Sequence, residues 1–290
     1  MKIWWLDYHP DYDNLEFNNN EDFEAFESLL FGIPLIEKWI PPKMKYIAKG
    51  RSSDFLYQKD GVLFVTEKVK ALFETTMLTE LFEFLPVITT DGEYYILNVL
   101  NVLNVLDCVD QDRSKEDRLS SGRLIGYQEI EFIVDAVKNH DIFRIENKES
   151  NTILKEIYVS EKIRNVITNS ELKGYQLVDI WDSDITQSEI EIKLNVMGEL
   201  INASLHKTFN FDKALKILKT NNINVYSGRS AIKLNEDGDL MIGLLQLDGN
   251  YIWITAYSIP PTFLYAEWGI KDKIKAQSFL SRLKEVITFS

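Results

Sequence analysis

The stretch from Leu81 to Asp110 constrains the fold more than any other part of the chain. It is the densest apolar segment, LFEFLPVITTDGEYYILNVLNVLNVLDCVD, and it holds the single cysteine, Cys108. A segment this apolar is expected to be buried, because exposing it to water is unfavourable. It therefore predicts the core of the larger of two domains.

Within this stretch the triplet Asn-Val-Leu occurs three times in succession, from Asn98 to Leu106. A period of three matches neither the strand period of two nor the helical period of 3.6. The flanking tyrosines and the recurring valine favour strands, whereas a helix would gather the asparagines into one polar stripe. The pattern predicts two strands separated by a bulge or tight bend, in which each buried asparagine needs a hydrogen-bond partner.

Length and composition predict a chain that is folded along its whole length. The 290 residues are 45 % hydrophobic and 27 % charged, which is ordinary for a globular protein. The formal net charge of −13 opposes extended contacts with phosphate backbones, so we expect no nucleic-acid partner. An acidic surface attracts a basic protein, although such a charge also serves solubility alone.

The cysteine count and the start of the chain indicate a cytoplasmic protein. One cysteine forms no internal disulfide and builds no cysteine-rich metal motif, which is typical of a reducing compartment. The first residues lack the apolar run of a signal peptide, and no window is long enough to span a membrane. We therefore expect no membrane association.

Local patterns in the first two thirds of the chain predict an α+β fold with mixed or antiparallel sheets and packed helices. The predicted strands cover residues 3–6, 62–65, 94–97, 142–145, 153–159 and 175–181. The predicted helices lie near residues 23–30, after a Thr66 cap, and after a Ser160 cap. Asp60-Gly61 predicts a turn, and residues 111–123 a polar surface loop. Prolines at 34, 41 and 42 predict an ordered but irregular arm around Trp39.

The apolar pattern lapses over residues 182–188, which predicts a boundary between domains 1–183 and 184–290. The second domain is expected to be a small antiparallel sheet with helices on one side. Its predicted helices cover residues 190–205, 211–218 and a terminal, locally basic 274–287, and its strands 223–226, 231–234, 240–246 and 251–257. Asp237-Gly238 and Asp248-Gly249 predict hairpin turns, and Pro260-Pro261 is expected to end the sheet.

The chain shows no recognisable catalytic or cofactor motif, and we predict neither a cofactor nor a metal. The three histidines lie far apart in sequence, and no phosphate-binding loop or nucleophile elbow is present. Cys108 sits in an apolar run and is expected to act as a small hydrophobe. An enzyme that uses the carboxylates around Asp107 and Asp110 is the alternative to a binding protein.

Two acidic groups are the candidate partner-binding residues. The first 30 residues carry eight carboxylates against Lys2 alone, and a helix there would present its carboxylates outward. A solvated face explains such a charge run, and a partner-binding face is the alternative. The candidates are Asp11, Asp13, Glu16, Glu21, Asp22, Asp107, Asp110 and Asp112.

Eight segments in a fixed order carry a family resemblance. They are GIPL…W.P at 32–41, DFL at 54–56, VTEKVKALFE at 65–74, EFLPV at 83–87, YYILNVL…LDCVD at 94–110, IFRI at 142–145, IYVSEKIRNVI at 157–167 and LKGYQLVDIWDS at 172–183. Residues 1–183 thus resemble the immunity protein eleven family of bacterial polymorphic toxin systems. The resemblance implies a protein that silences a cognate toxin by stoichiometric contact, without catalytic residues of its own.

Overall fold

The computed structural model describes residues 1–27, 29, 31–59, 62–148, 152–221 and 223–271. The chain divides into two compact units, Met1–Asp184 and Ile185–Ser290. Two predictions, the Asp60-Gly61 turn and the terminal helix over residues 274–287, lie outside the described residues. Across the ranges that are described, no helix is both long and apolar enough to cross a membrane.

The first unit alternates strands with short helices. Its strands are β1 Lys2–Tyr8, β2 Asn14–Phe17, β3 Met44–Ile47, β4 Phe55–Lys59, β5 Val62–Thr66, β6 Phe82–Pro86, β7 Tyr94–Val99, β8 Val102–Asn104, β9 Lys115–Arg118, β10 Leu124–Glu129, β11 Ile142–Asn147, β12 Thr152–Ile153, β13 Ile157–Ser160 and β14 Tyr175–Asp182. Its helices are α1 Asn20–Glu27, α2 Glu67–Thr76, α3 Val105–Cys108, α4 Val134–Val137 and α5 Glu161–Thr168. The predicted α+β class is confirmed.

Two larger sheets organise this unit. One has the order β12-β11-β13-β1-β14, and β8 joins it by pairing in parallel with β11. The other is antiparallel with the order β4-β5-β7-β6, so that β6 is an edge strand. The strand pairs β2-β3 and β9-β10 form two small sheets besides these. Both predicted sheet types, mixed and antiparallel, are therefore present.

Three apolar clusters fill the first unit. The first contains Trp4 and Leu6 of β1, Leu63 and Val65 of β5, and the buried faces of α2 and α5. The second lies around α3, α4 and β11 and contains Cys108. The third contains residues of α1, β2 and β3 together with Val62 and Phe64 of β5, and we call it the α1 cluster. The hydrophobic residues of these strands alternate between clusters, which is why both faces of the four-stranded sheet are covered.

The stretch from Leu81 to Asp110 lies in the core of this unit, as its composition predicts. It forms β6, β7, β8 and α3, and β7 and β8 are the two predicted strands separated by a tight bend. Each asparagine of the triplet has a different role. Asn98 is buried in β7, Asn101 donates to the carbonyl of Ile142 at 2.7 Å, and Asn104 caps α3 by accepting from the amide of Leu106.

Several local predictions for the first unit need correction. Residues 115–118 form β9, which pairs with β10 in a hairpin, so the segment 111–123 is not simply a loop. The irregular arm ends in β3, which pairs with β2. Thr66 and Ser160 occupy the predicted N-cap positions, but neither side chain caps its helix. The Thr66 hydroxyl donates to Asp54, and the Ser160 hydroxyl to Asp141.

The second unit consists of a six-stranded sheet and three helices over its described residues. Its strands are β15 Leu205–Phe209, β16 Val225–Ser227, β17 Ser230–Leu234, β18 Leu240–Leu245, β19 Tyr251–Thr255 and β20 Trp268–Lys271. Its helices are α6 Gln187–Ser204, α7 Phe211–Asn221 and α8 Pro261–Tyr265. The sheet is antiparallel, with the order β15-β20-β16-β17-β18-β19. Asn210 opens α7, because its side chain accepts from the amide of Lys213.

Two expectations for the second unit are wrong. Pro260-Pro261 does not end the sheet, because the chain returns after α8 and inserts β20 between β15 and β16. The helices also cover both faces of the sheet. Val225 packs with α7, whereas its neighbour Tyr226 packs with α6, and successive residues of a strand point to opposite faces.

Candidate partner-binding surface

The structure places the candidate carboxylates of the N-terminal segment in two environments. Asp11 and Asp13 are buried, at 4 % and 7 % exposure, in the turn between β1 and β2. Asp13 accepts from the amide of Lys49 at 2.6 Å and from the hydroxyl of Tyr46. Burial and this hydrogen bond raise the pKa of Tyr46 above its ordinary value. The carboxylate of Asp13 is therefore engaged within the fold by Lys49 and Tyr46.

The other candidates of this segment lie nearer the surface. Glu16 is exposed on β2 and forms an ion pair with Lys45 at 3.1 Å. Glu21 is exposed in the first turn of α1, where a negative charge meets the positive end of the helix dipole. Asp22 is half-buried, its carboxylate accepts from the side-chain amide of Asn19, and its backbone amide donates to the side-chain oxygen of Asn19. The helix predicted in this region, with exposed carboxylates, is thus present.

The acidic group after β8 belongs to a different part of the first unit. Asp107 is exposed on α3, and Asp112 is exposed in the following turn. One carboxylate oxygen of Asp110 accepts from the amides of Asp112 and Arg113, at 3.1 and 3.2 Å. Asp110 therefore stabilises a turn. These residues lie by the cluster that contains Cys108, whereas α1 lies on the α1 cluster, so the fold separates the two acidic groups.

Burial decides the chemistry of the single thiol. Cys108 is 1 % exposed, and burial is the main cause that raises the pKa of its thiol to about 12. A protonated, inaccessible thiol is neither a nucleophile nor a metal ligand. Among the residues that the structure describes, no group of three or more His, Cys, Asp or Glu side chains is arranged to hold a metal ion.

A groove of about 750 Å³ lies at the start of α2 and contains the buried carboxylate of Asp54. Asp54 accepts from the hydroxyl of Thr66 at 3.0 Å and from the amide of Lys173 at 2.9 Å. The ammonium of Lys68 lies 3.9 Å away. Both oxygens of this carboxylate are therefore engaged in joining β4, α2 and the loop before β14.

A surface feature that the sequence did not reveal lies along the edge strand β6. We call residues 33–43 the arm. Ile36 and Ile40 of the arm are 51 % and 85 % exposed, and Ile88, just beyond β6, is 50 % exposed. Leu35 and Trp39, the neighbours of these two isoleucines, pack instead against the α1 cluster. The arm thus presents one set of apolar side chains outward while the other set anchors it.

The arm is held at its N-terminal end by a partly buried polar network. Glu83 of β6 accepts from the amides of Leu35 and Ile36, at 2.9 and 3.2 Å. Asn98 of β7 donates to Glu83 at 3.0 Å and to the carbonyl of Ile33 at 2.8 Å. These bonds fix the backbone of the arm, because breaking them would leave buried polar groups without partners.

The C-terminal end of the arm is fixed by backbone groups at the end of β6 and just after it. The indole of Trp39 donates to the carbonyl of Pro86 at 2.7 Å. The amide of Ile88 donates to the carbonyl of Pro42 at 2.9 Å, and that of Met44 to the carbonyl of Ile88 at 2.8 Å. Ile40 lies between these contacts, so its exposure is a property of an ordered segment.

These observations define an α+β protein whose first unit carries an ordered, exposed apolar segment. Residues 41–182, which lie within that unit, match the model of an immunity protein family, Imm11. The family resemblance is therefore confirmed over these residues. The segment 32–40 lies outside the match, and no family model matches the second unit. No curated protein matches the chain.

Proposed function

We propose that the protein is the immunity component of a bacterial polymorphic toxin system. In this role it binds a cognate toxin domain in the cytoplasm, in an equimolar complex, and blocks the toxin's activity. The match of residues 41–182 to an immunity protein family carries the proposal. The net charge of −13 adds support, because an acidic surface accelerates encounter with a basic protein.

The proposal is tested with the toxin domain encoded in the neighbouring reading frame. The full chain and this domain, mixed at equal concentration, should elute as one complex whose mass equals the sum of the two chains. Co-expression of the chain should restore growth of cells that produce the toxin. Absence of both the complex and the growth rescue would refute the proposal.

Titration separates binding from catalysis. A blocking protein abolishes toxin activity only as it approaches one equivalent, because each molecule occupies one toxin. An enzyme would inactivate the toxin progressively at amounts far below one equivalent. Lasting inactivation at such amounts would contradict the proposal and favour the alternative, an enzyme that uses the carboxylates around Asp107 and Asp110.

A further inference from the structure

The arm carries three exposed isoleucine side chains close together in sequence. Ile40 is 85 % exposed, Ile36 51 % and Ile33 44 % within eight residues. Removing such side chains from water is favourable, so leaving three of them partly or largely exposed forgoes stabilisation. Single exposed hydrophobic residues are ordinary, but a contiguous group in one segment is typical of an interaction site.

The rigidity of the arm strengthens this inference. Hydrogen bonds to Glu83, Pro86 and Ile88 hold it at both ends, and Trp39 anchors its middle. A segment that is already ordered loses little conformational entropy when a partner binds. The arm therefore has the two properties of an effective contact surface, which are apolar side chains and a preorganised backbone.

An acidic helix lies on the same face of the four-stranded sheet as the arm. Phe26 of α1 packs in the α1 cluster, which also receives Leu35 and Trp39 of the arm. No Lys or Arg occurs from Asn20 to Glu27, and the side chains of Glu21 and Glu24 are exposed. The charges of the arm itself are mixed, with Glu37 against Lys38 and Lys43 exposed. This face of the sheet therefore carries both the exposed apolar segment and an exposed group of carboxylates.

We propose that the arm and α1 together form the surface that receives the toxin domain, an inference that rests on the proposed function. Stable interfaces have an apolar centre with a polar border, and opposite charges across that border steer association. The toxin surface that fits here carries apolar side chains against Ile36 and Ile40, with Lys or Arg residues facing Glu21 and Glu24.

The test uses variants of the full chain and the same toxin domain as probe. Ile36→Ser and Ile40→Ser, combined, should weaken the affinity for the toxin domain at least about tenfold, mainly through faster dissociation. Glu21→Lys combined with Glu24→Lys should mainly slow association, and this effect should fade as salt rises. Surface plasmon resonance measures both rates.

Matched controls come from α6 of the second unit. Ile192 is 62 % exposed and Glu199 is exposed, so Ile192→Ser and Glu199→Lys change side chains of the same kinds that belong neither to the arm nor to α1. Both controls should bind as the unaltered chain does. Because all six altered side chains are exposed, each variant should keep the circular dichroism spectrum of the unaltered chain.

Three results would overturn the inference. If the unaltered chain binds the toxin domain and the arm variant binds equally well, the surface is wrong while the proposed function stands. If the unaltered chain does not bind, the proposed function fails and the inference falls with it. If light scattering shows that the chain alone is a dimer which Ile36→Ser with Ile40→Ser dissociates, the arm receives a second copy of this chain.

Discussion

Asn98 of β7 and Glu83 of β6 lie directly opposite each other in the four-stranded sheet, and the side-chain amide of Asn98 donates to the Glu83 carboxylate at 3.0 Å. Asn98 is 1 % exposed and also accepts from the amide of Gly32 at 2.7 Å. This cross-strand pair thus links the core of the sheet to the start of the arm. Asn98, the first asparagine of the repeated triplet, therefore helps to hold the arm in place.

Replacing Asn98 with Ala should loosen the arm and destabilise the first unit. The change leaves the carbonyl of Ile33, the amide of Gly32 and the carboxylate of Glu83 each short of a buried partner, at a cost of about 1 to 3 kcal/mol. Hydrogen exchange followed by mass spectrometry should show faster exchange of the amides of residues 32–36.

Asn104→Ala is the matched control for this substitution. Asn104 caps only the short helix α3, so its loss should cost about 1 kcal/mol and leave exchange in the arm unchanged. Equal protection of residues 32–36 in Asn98→Ala and in the unaltered chain would show that the pair with Glu83 does not hold the arm.

Gly174 should tolerate no side chain. Its φ is +80°, and a Cβ there would lie 1.8 Å from the hydroxyl oxygen and 3.2 Å from the Cα of Ser53. Gly174→Ala therefore adds a collision to the ordinary cost of about 1 to 2 kcal/mol for a left-handed residue. The urea midpoint of the first unit should fall clearly.

Gly122 separates the two contributions. Its φ is +83°, but a Cβ there meets nothing within 4 Å, so Gly122→Ala should show the conformational cost alone. The difference between the two variants measures the collision with Ser53. Equal midpoints for both variants would mean that Ser53 moves aside without cost.

The sequence predicted elements whose signals are local. The tyrosines and valine of β7, the turn residues Asp237-Gly238 and the apolar spacing of α7 each specify their own structure. The arm was also predicted, because prolines exclude a regular helix or strand around Trp39. Its exposure was not, since the local pattern does not reveal that Leu35 turns inward while Ile36 turns outward.

Non-local pairing accounts for most of the remaining differences. β20 forms between β15 and β16 because these strands, distant in sequence, hydrogen-bond to both of its edges. The four residues Trp268–Lys271 carry no local pattern that predicts this pairing. The hydroxyl of Thr66 likewise donates to Asp54, which lies twelve residues earlier in the chain, and does not cap α2. The acidic residues were identifiable by composition, but only the fold shows that Asp13 is buried while Glu21 is exposed.

Cys108 should be unreactive in the native protein. Its thiol is buried and its pKa is raised to about 12, so almost no thiolate is present or accessible at neutral pH. Iodoacetamide at pH 8 should label Cys108 only after unfolding in urea, as followed by intact mass. Rapid labelling of the folded chain would contradict the burial of α3 against its cluster.

The carboxyl group of Asp7 should make stability depend on pH. Asp7 lies on β1, and burial is the main cause that raises its pKa from 3.8 to about 7, against the opposing effects of the Tyr8 amide and Lys155. The nearby charge of Glu156 raises it further. The folded state therefore holds a proton on Asp7 over a pH range in which the unfolded chain has released it.

The sign of this dependence follows from linkage. Well below pH 3.8 Asp7 is protonated in both states, and the free energy of unfolding carries no penalty from it. As the pH rises from about 4 to about 7, ionisation in the unfolded chain favours unfolding, so this contribution to stability declines and then levels off. Asp7→Asn removes the penalty while keeping the size of the side chain. The variant should exceed the unaltered chain in free energy of unfolding by about 4 kcal/mol at pH 8, and by less than about 1 kcal/mol at pH 4.

Urea unfolding at both pH values measures the effect, and Asp112→Asn is the control. Asp112 is exposed, so its replacement should leave the free energy of unfolding nearly the same at pH 4 and pH 8. A stabilisation by Asp7→Asn that is equal at both pH values would show that ionisation of Asp7 is not its cause. A loss of stability at pH 8 would show that the charged carboxylate is favourably paired in the folded chain, contrary to the burial that dominates its environment.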